Sequence, residues 1–467
     1  MPPMPKLSDS GRELRRTLGT TDLTLIGIGG VIGSGIFLVP GVVLRQTGGW
    51  VGPAIAVWVA AGVLSLLGAL TYAELGAMRP ESGGLYAYIR DAFGPLPAFL
   101  CGWTSFFVIS TGAIATLAVA MADYAEQIVP LGAFGSRAIS VLVIALLAAI
   151  NIRGTRESAT MQNWTTAFKV VGLLALSVAL IVMGSAPRST MPLWPGSFTT
   201  TLASGIGTAM IGVLWAYEGW QYVTYSAGEA RDPQKTFPRA IAMATAALVA
   251  LYVLANIGYI VSLGAEGAAR TDHVAIDAVN ATLGPTVGRA VGVLILVSMF
   301  SAANSLLLTT PRMYFAMARD GVFFERLAIV HPRFGTPAFA IFAMALWSAA
   351  LAMTGTFEQL LTYVVFAGWI FYGLGAASVF VFRRRQADAH RPFRVPGYPV
   401  TPVLFVASAA ALVINTIVSQ PGRAFAGLGA VLIGIPAFLF WRFGVGGGNG
   451  KRENCRELQG DKEIPSQ

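Results

Sequence analysis

Glycines interrupt an apolar stretch near the start of the chain, where residues 27–37 read Gly-Ile-Gly-Gly-Val-Ile-Gly-Ser-Gly-Ile-Phe. Apolar residues continue on both sides, over 23–44, which is long enough to cross a bilayer. Each glycine costs a helix about 1 kcal/mol relative to alanine, so a plain membrane anchor gains nothing from so many. A helix that stops and restarts leaves N–H and C=O groups free, which membranes tolerate only in protein-lined or wet cavities. The segment therefore predicts a transport site whose backbone groups hold the ammonium and carboxylate of a small zwitterion.

A second apolar stretch, residues 205–220, is interrupted by glycines in the same way. Interrupted segments at matching positions of two halves are typical of an inverted repeat with a binding site at the membrane midplane. Close packing of helices through small residues is the alternative explanation, and it suffices for one such segment alone. Two segments at corresponding positions favour a pair of broken helices.

The composition indicates a membrane protein: 55% of the 467 residues are hydrophobic and only 12% are charged, against about 25% in soluble domains. We expect an all-α fold with 12 transmembrane helices. Spans 1–5 and 6–10 would form a 5+5 inverted repeat with discontinuous helices 1 and 6, followed by two extra C-terminal helices. A short interfacial helix is expected within 265–284. The predicted spans begin near Leu23, Val51, Leu96, Ala138, Trp164, Ile206, Ala240, Val287, Pro337, Phe357, Val400 and Phe425.

The charge distribution predicts the topology. The net charge is +9, but most of the 32 Lys and Arg residues fall in alternate loops, which argues against nucleic-acid binding and follows the positive-inside rule. We therefore expect an integral protein of the cell (inner or plasma) membrane with both termini cytoplasmic and basic loops near anionic lipid. The expected parts are a cytoplasmic tail at 1–19, a membrane domain at 20–443 and a cytoplasmic tail at 444–467.

Neither a metal site nor a cofactor is predicted. The chain has two cysteines, Cys101 in a span and Cys455 in the tail, with no metal-ligand spacing. A Walker-type P-loop is absent from the sequence, so ATP is not expected to drive the protein directly. No cluster of His, Asp and Glu suggests an enzyme.

Several motifs follow one another in a recognisable order. The chain resembles transporters of the amino acid–polyamine–organocation (APC) superfamily, most of all the L-type (LAT) branch and similar bacterial exchangers. Each motif is weak alone, but the ordered set is specific. The matching segments are 30–37 (Gly-Val-Ile-Gly-Ser-Gly-Ile-Phe), 72–76 (Tyr-Ala-Glu-Leu-Gly), 82–89 (Ser-Gly-Gly-Leu-Tyr-Ala-Tyr-Ile), 215–220 (Trp-Ala-Tyr-Glu-Gly-Trp), 229–241, 319–321 and 368–373.

The first break supplies donors for a carboxylate. A helix that restarts after Gly33 presents free N–H groups and the positive end of its dipole. The donors would be the backbone of Ser34, Gly35 and Ile36, with the Ser34 hydroxyl as a fourth. Carbonyls freed before the break, around Val31, suit an ammonium.

The resemblance implies the same arrangement and extends it to the second break. It assigns ammonium contacts to the carbonyls of Trp215, Ala216 and Glu218. It also implies that Trp215, a bulky aromatic residue, closes over bound substrate, whereas the alternative is a packing or lipid-facing tryptophan. The backbone would then bind the head group, and side chains would contact the R group.

Four further residues are secondary candidates for the pocket. Trp220, Tyr259 and Trp369 match family positions near the pocket or its outer wall, and core packing is the alternative for each. Asn304 is an amide among apolar residues of the eighth span. It either bonds the broken backbone or ties helices together.

Two charges lie deep in apolar sequence, Lys169 in span five and Glu218 in span six. Intramembrane charge is costly, by about 2.5–3.5 kcal/mol on insertion scales, and marks candidate functional residues. Lys169 aligns with a family lysine that stands where sodium-coupled relatives hold a cation. It could tie span five to the first break or carry a coupled proton, and the alternative is a lysine that snorkels to an interface.

Glu218 departs from the glycine usual in eukaryotic L-type members. It could hold a proton, pair with a basic substrate side chain, or hydrogen-bond the unwound backbone.

Charged residues at the predicted cytoplasmic ends suggest a gate. Glu74, Glu229 and the arginines of 231–239 and 312–319, including Arg312, could form salt bridges that close the inner side. Surface pairs contribute only about 0–1 kcal/mol each, which suits a gate that must open repeatedly. Simple anchoring of loops is the alternative.

The expected function is secondary transport of amino acids by alternating access, without enzymatic chemistry. Sodium-independent exchange or proton symport of neutral L-amino acids is favoured; the alternatives are a carrier of cationic amino acids or polyamines and a non-transporting nutrient receptor on the same fold. Animal L-type members bind a heavy subunit through a cysteine between spans three and four. Residues 127–137 contain none, so we expect no disulfide-linked heavy subunit, and a monomer or homodimer in lipid.

Overall fold

The structure is a computed structural model that describes residues 17–79, 83–126, 130, 132–186, 192–355 and 357–445. Several predicted features therefore lie outside the described residues, namely most of both expected tails, Ser82, Cys455 and positions 127–129 and 131 of the loop between spans three and four. The described part is almost entirely helical. Its only β-pairing is an isolated bridge between Leu18 and Ala230.

In the described part of the first half of the chain there are nine helices, because apolar runs alternate there with glycine, proline and polar turns. In order they are α1 (Thr20–Val31), α2 (Gly35–Gln46), α3 (Val51–Met78), α4 (Leu85–Phe93), α5 (Pro95–Thr104), α6 (Ser110–Glu126), α7 (Gly132–Arg153), α8 (Thr155–Met183) and α9 (Thr200–Ala216). A π-helical segment, Ser105–Ile109, joins α5 to α6, and a 3₁₀ segment, Trp220–Glu229, follows α9.

Eight helices follow over the residues that the structure describes in the second half. They are α10 (Pro233–Ala269), α11 (Val274–Leu283), α12 (Pro285–Thr309), α13 (Pro311–Arg319), α14 (Ala338–Thr354), α15 (Phe357–Arg385), α16 (Val400–Ser419) and α17 (Pro421–Leu439). A 3₁₀ turn, Glu325–Ala328, precedes α14, and a π-helical segment, Phe440–Val445, ends the described chain. Helix α11 occupies the stretch where a short helix was predicted.

Within the described ranges, nine helical segments are long and apolar enough to cross a membrane, or ten when the bent pair α1 and α2 counts as one span. Two further apolar helices, α9 and α14, have 17 residues each. Helix α7 is longer than the predicted 138–152 segment, because it begins at Gly132 and includes a more polar first turn. Helix α8 likewise begins nine residues before Trp164, at Thr155.

Both predicted interruptions are real breaks. Helices α1 and α2 meet at a bend of 44° across 32–34. Helix α9 ends at Ala216, and the chain turns through Tyr217 and Gly219 before the 3₁₀ segment begins. The two breaks touch, because a Cβ added to Gly219 would lie 2.8 Å from the carbonyl carbon of Gly30.

The second half of helix α1 is buried, and the helix packs against α8, α10 and α12. Small residues allow the close approach: a Cβ added to Gly29 would meet Gln162 Nε2 at 2.0 Å and Thr166 Oγ1 at 2.3 Å. Helix α2 approaches α9 as closely, since a Cβ added to Gly35 would lie 2.5 Å from the Ala216 Cα. The glycines of the first break therefore have two roles: they interrupt the helix, and they let neighbouring helices pack closely against it.

The start of α1 is fastened to the end of the second broken segment. The amides of Thr17 and Leu18 donate to the Glu229 carbonyl at 2.9 and 3.0 Å, and the Arg231 amide donates to the Leu18 carbonyl at 2.8 Å. The chain entering one broken helix is thus bonded to the chain leaving the other, so their ends at this side of the molecule are coupled.

We expect Gly219→Ala to destabilise the protein more than the same substitution at another glycine with positive φ. Gly219 has φ of +127°, and the added methyl group would also press on the Gly30 backbone. Gly284→Ala is the matched control, because Gly284 has φ of +87° but nothing within 4 Å of an added Cβ. Left-handed strain alone costs about 1–2 kcal/mol. The thermal midpoint of the purified protein should fall further in Gly219→Ala, and equal falls would contradict close contact of the breaks.

Candidate substrate site at the crossing of two broken helices

A small cavity lies where the two breaks meet. It encloses about 20 Å³, which is room for little more than one water molecule. Its walls come from the first break, the second break, α6 and α12. The lining residues are Gly30, Val31, Gly33, Ser34, Gly35, Ala113, Leu117, Trp215, Glu218, Tyr222, Ala302 and Leu306. A bound molecule larger than water therefore requires side chains to move apart.

The first break offers the predicted donors. No described residue accepts a hydrogen bond from the backbone N–H of Gly33, Ser34, Gly35 or Ile36. The next amides, of Phe37 and Leu38, both donate to the Ser34 carbonyl, so the helix restarts there. The N–H groups at the start of α2 are therefore free to bind an anion. The positive end of the helix dipole also favours an anion there.

The carbonyls of the first break are mostly occupied. Lys169 Nζ donates to Gly29 O and Ile32 O, both at 2.6 Å, and Ser298 Oγ donates to Ile32 O at 2.9 Å. The Lys169 side chain is fully buried, so it ties α8 to the break and does not snorkel to an interface. The ammonium satisfies carbonyls that a broken helix would otherwise leave unpaired in an apolar interior.

Tyr252 of α10 joins the two breaks. Its hydroxyl lies 3.1 Å from Val31 O and 3.0 Å from Ala216 O, so its one hydrogen is shared between carbonyls that were predicted to bind an ammonium. Each carbonyl keeps a second lone pair. The other predicted carbonyl contacts differ from one another, because Trp215 O accepts from the Glu218 amide at 3.0 Å while Glu218 O accepts from no described residue.

The Glu218 carboxyl lines the cavity and is only 7% exposed. Three side chains, Gln221, Tyr222 and Tyr372, donate to the same oxygen, Oε1. These bonds go to side chains and none of the described ones goes to the unwound backbone, which contradicts the backbone-bonding interpretation of Glu218. Convergent donors on one oxygen stabilise a negative charge and leave Oε2 for another partner.

Trp215 spans the cavity between the two breaks. Its indole Nε1 approaches the Ser34 hydroxyl at 3.4 Å, and the side chain is 6% exposed. It packs inside the protein and does not face lipid.

The secondary candidates lie away from the cavity wall. Trp220 packs against Tyr72 and Phe405, at 5.1 and 5.8 Å between ring centroids, and Trp369 lies 5.4 Å from Phe405. Tyr259 is buried with a hydroxyl that no described residue bonds. The geometry therefore places all three in the surrounding core, whereas their matching positions suggested the pocket.

Asn304 ties helices together. Its carbonyl accepts from Asn151 at 2.8 Å and Ser158 at 3.2 Å, and its amide donates to Gln162 at 2.8 Å. These partners belong to α7 and α8, so the amide holds three helices behind the first break and does not bond the broken backbone. Buried polar networks of this kind are stable only when every member is satisfied.

The predicted gate residues are only partly brought together. Arg312 Nε lies 2.7 Å from Glu229 Oε1, and the two side chains are 1% and 2% exposed. The pair is buried, so the prediction of a surface pair worth about 0–1 kcal/mol was wrong for these two residues. Removing one partner of a buried pair costs about 3–5 kcal/mol. Glu74 pairs instead with Arg383 of α15 at 2.6 Å.

Four polar residues at the site were not predicted from the sequence, namely Tyr252, Tyr222, Tyr372 and Gln221. Tyr252 and Asn256 are polar residues four positions apart in an apolar helix, and the Asn256 amide donates to the Tyr252 carbonyl at 2.8 Å. Polar side chains on one face of a membrane helix usually face the interior, so this spacing was a usable signal. Tyr372 lies in the matching segment 368–373, where only Trp369 was singled out, and Tyr222 gave no signal because aromatic residues are abundant in this chain.

Tyr252→Phe should loosen both breaks, because Val31 O and Ala216 O lose a shared donor worth about 0.5–1.5 kcal/mol. Hydrogen–deuterium exchange read by mass spectrometry should quicken by up to about tenfold in peptides that cover residues 25–40 and 210–222. Tyr259→Phe is the control on the same helix, since that hydroxyl bonds no described residue. Equal exchange in both variants would contradict the bridging role.

The chain matches a family model for amino acid permeases over residues 18–437. It is 30% identical to the human cystine/glutamate transporter, over 92% of this chain and 86% of the relative. It is also 30% identical to the serine/threonine exchanger SteT of Bacillus subtilis, over 91% and 96% of the two chains. The human b(0,+)-type amino acid transporter 1 is 31% identical, over 92% and 88%. These relatives are membrane transporters and not enzymes. The chain belongs to the amino acid permease family.

Proposed function

We propose that this protein is a sodium-independent exchanger of neutral L-amino acids that works by alternating access. The observation that carries the proposal is the crossing of two broken helices, which places free N–H groups beside carbonyls in one cavity. The N–H groups of Ser34, Gly35 and Ile36 would bind the substrate carboxylate. Val31 O, Ala216 O and Glu218 O would bind its ammonium, with Trp215 closing over the bound molecule.

The charge around the cavity favours a neutral substrate. Glu218 is the acidic group of the described wall, and Lys169 lies directly behind the first break. Their opposite charges balance, so a zwitterion leaves the buried site without net charge. A cationic substrate would add an uncompensated charge in a low-dielectric interior, which is costly.

The Glu218 carboxyl also supports a second candidate, a carrier of cationic amino acids or polyamines. Its Oε1 receives all three described donors, and Oε2 has none of them. A substrate ammonium could occupy that position.

Proton symport is a further possibility for the coupling. In that case Glu218 or Lys169 would bind and release the coupled proton during each transport cycle.

The contacts of Lys169 support sodium independence. Its ammonium holds two carbonyls of the first break at 2.6 Å, the kind of ligand that a bound Na⁺ would use. A fixed cation makes the break stable in the absence of Na⁺.

We infer twelve spans in a 5+5 inverted repeat with two extra C-terminal helices. The ten candidate spans, together with α9 and α14, support this number. The breaks fall in the first and sixth of these spans, as expected for equivalent helices of two repeats. The distribution of Lys and Arg supports cytoplasmic termini and a cell-membrane location. A membrane domain at 20–443 with short tails, acting as a monomer or homodimer without a disulfide-linked subunit, completes the proposal.

Alternating access would proceed by tilting of the broken helices. The buried Glu229–Arg312 pair and the bonds between residues 17–18 and 229–231 close one side of the cavity. Beyond Trp215, on the other side, lies a cavity of 360 Å³ between α2, α6 and α9, which we call the vestibule. This arrangement corresponds to a state closed towards the cytoplasm, with the site shielded by Trp215 from an outer vestibule.

Uptake into proteoliposomes tests the proposal. Labelled neutral amino acids, lysine, arginine and putrescine should be supplied in sodium or choline buffer, with and without a pH gradient and internal amino acid. We expect faster uptake of neutral amino acids, equal rates in both buffers, and strong stimulation by internal amino acid. Faster uptake of lysine or putrescine would favour the second candidate, stimulation by a pH gradient alone would favour symport, and binding without uptake would indicate a receptor.

Glu218→Gln should alter the pH dependence of uptake and the substrate range. The amide keeps the shape but removes the charge, and hydrogen bonds to charged groups contribute about 1.5–3 kcal/mol, so relative rates should change by about tenfold or more. Glu266→Gln is the control, because Glu266 is an exposed acid paired with Arg270 away from the cavity. If uptake by Glu218→Gln matched the parent at every pH and for every amino acid, the carboxyl would be structural.

A further inference from the structure

The vestibule lies one helical turn beyond the crossing of the breaks. Val39 of α2 and Gly212 of α9 face each other in its wall, and they stand about one turn from Gly35 and Trp215. A Cβ added to Gly212 would lie 3.1 Å from the Val39 side chain, so α2 and α9 are in close contact at this end of the vestibule. Its 360 Å³ falls in the range of small-molecule sites, about 300–1,000 Å³.

Two groups of opposite charge line the vestibule without being paired to one another. Asp123, in the last turn of α6, is exposed to it and accepts no hydrogen bond from the described residues. Arg423, in the first turn of α17, is oriented by its Nη1, which donates to Thr362 Oγ1 at 3.3 Å and Gln420 Oε1 at 3.2 Å. Its Nε and Nη2 donate to none of the residues that the structure describes.

The other acid in the wall is already committed. Asp272 accepts from Arg45 Nη2 at 2.6 Å, and Arg45 also donates to the carbonyls of Ala269 and Thr271. Among the described lining residues, Asp123 is thus a carboxylate that accepts no hydrogen bond, with His273 of the same wall interacting electrostatically with it, and Arg423 is an oriented guanidinium. The Asp272–Arg45 pair is already formed.

We propose that the vestibule is a second, outer binding site for the head group of a zwitterionic amino acid. Asp123 faces the ammonium, and Arg423 binds the carboxylate through its planar fork of N–H groups. The inference rests on the proposed function, since it takes the same class of substrate, but it uses residues that the cavity between the breaks does not.

The chemistry of the walls explains what such a site does. Both charges are solvated, so each contributes modestly and the outer site binds more weakly than the inner one. Opposite charges in a recess nevertheless concentrate matching ligands near it. An amino acid held there lies one helical turn from the inner cavity, with Trp215 between the two. The outer site thus supplies substrate at low external concentration and contributes little once the inner site is saturated.

The stoichiometry of binding tests the proposal directly. Full-length protein in lipid nanodiscs is dialysed against labelled L-serine over concentrations that extend well above those that saturate uptake. The parent should bind a second serine weakly, whereas Asp123→Asn and Arg423→Gln should bind only one. Asp272→Asn is the matched control, because it makes the same charge change in the same wall at an acid that is already paired, and it should keep both.

Transport kinetics give an independent readout. Asp123→Asn and Arg423→Gln should raise the KM of uptake about two- to fivefold, the factor that corresponds to one solvated charge contact, without changing the maximal rate. Propionate and ethylamine, which carry one charge each, should displace the outer serine more weakly than L-alanine does.

The outcomes separate this proposal from the previous one. Single binding in the parent, or equal loss in Asp123→Asn and Asp272→Asn, would overturn the outer site. Gly35→Ala, which places a methyl group 2.5 Å from Ala216 Cα, should disable the inner site and leave the weak serine bound. If Gly35→Ala instead kept both serines while Asp123→Asn still lost the weak one, the outer site would stand and the inner assignment would fail.

Discussion

The structure depends on one constraint: a helix broken inside a membrane must find partners for its freed backbone groups. At the first break, protein side chains satisfy the carbonyls, through Lys169, Ser298 and Tyr252. The N–H groups from Gly33 to Ile36 receive no such partner from the described residues. The break is therefore asymmetric: its carbonyls are bonded to side chains, whereas its N–H donors are free. Free N–H donors at the positive end of a helix suit a negatively charged carboxylate.

This asymmetry accounts for the elements around the site. Glycine is required at Gly219, where the two breaks touch, and at Gly29, where Gln162 and Thr166 pack against α1. The amide network of Asn151, Asn304 and Gln162 fixes α7, α8 and α12 behind the break. This network supports one side of the break, and Trp215 with the start of α2 forms the opposite wall of the cavity.

Much of this arrangement could be predicted from the sequence, because glycine clusters and isolated charges are conspicuous in apolar spans. The two breaks and the short α11 follow from such local signals, whereas the sequence left open whether Lys169 is buried or reaches an interface. Other features depend on contacts between distant helices. The hydroxyl of Tyr252 meets both breaks only because α10 crosses them. Trp220 and Trp369 lie in an aromatic cluster with Phe405 that no local pattern reveals. Glu74 has several possible arginine partners in the sequence, and only the folded structure brings Arg383 of α15 and Arg391, in the segment after it, to its carboxylate.

The most direct measurement is an experimental structure of the protein in lipid with a transported amino acid bound. We predict that the substrate carboxylate lies within hydrogen-bond distance of the N–H groups of Ser34, Gly35 and Ile36, and that the ammonium lies beside Val31 O and Ala216 O. A substrate bound elsewhere, or a first helix that winds unbroken through Gly33 once loaded, would contradict it.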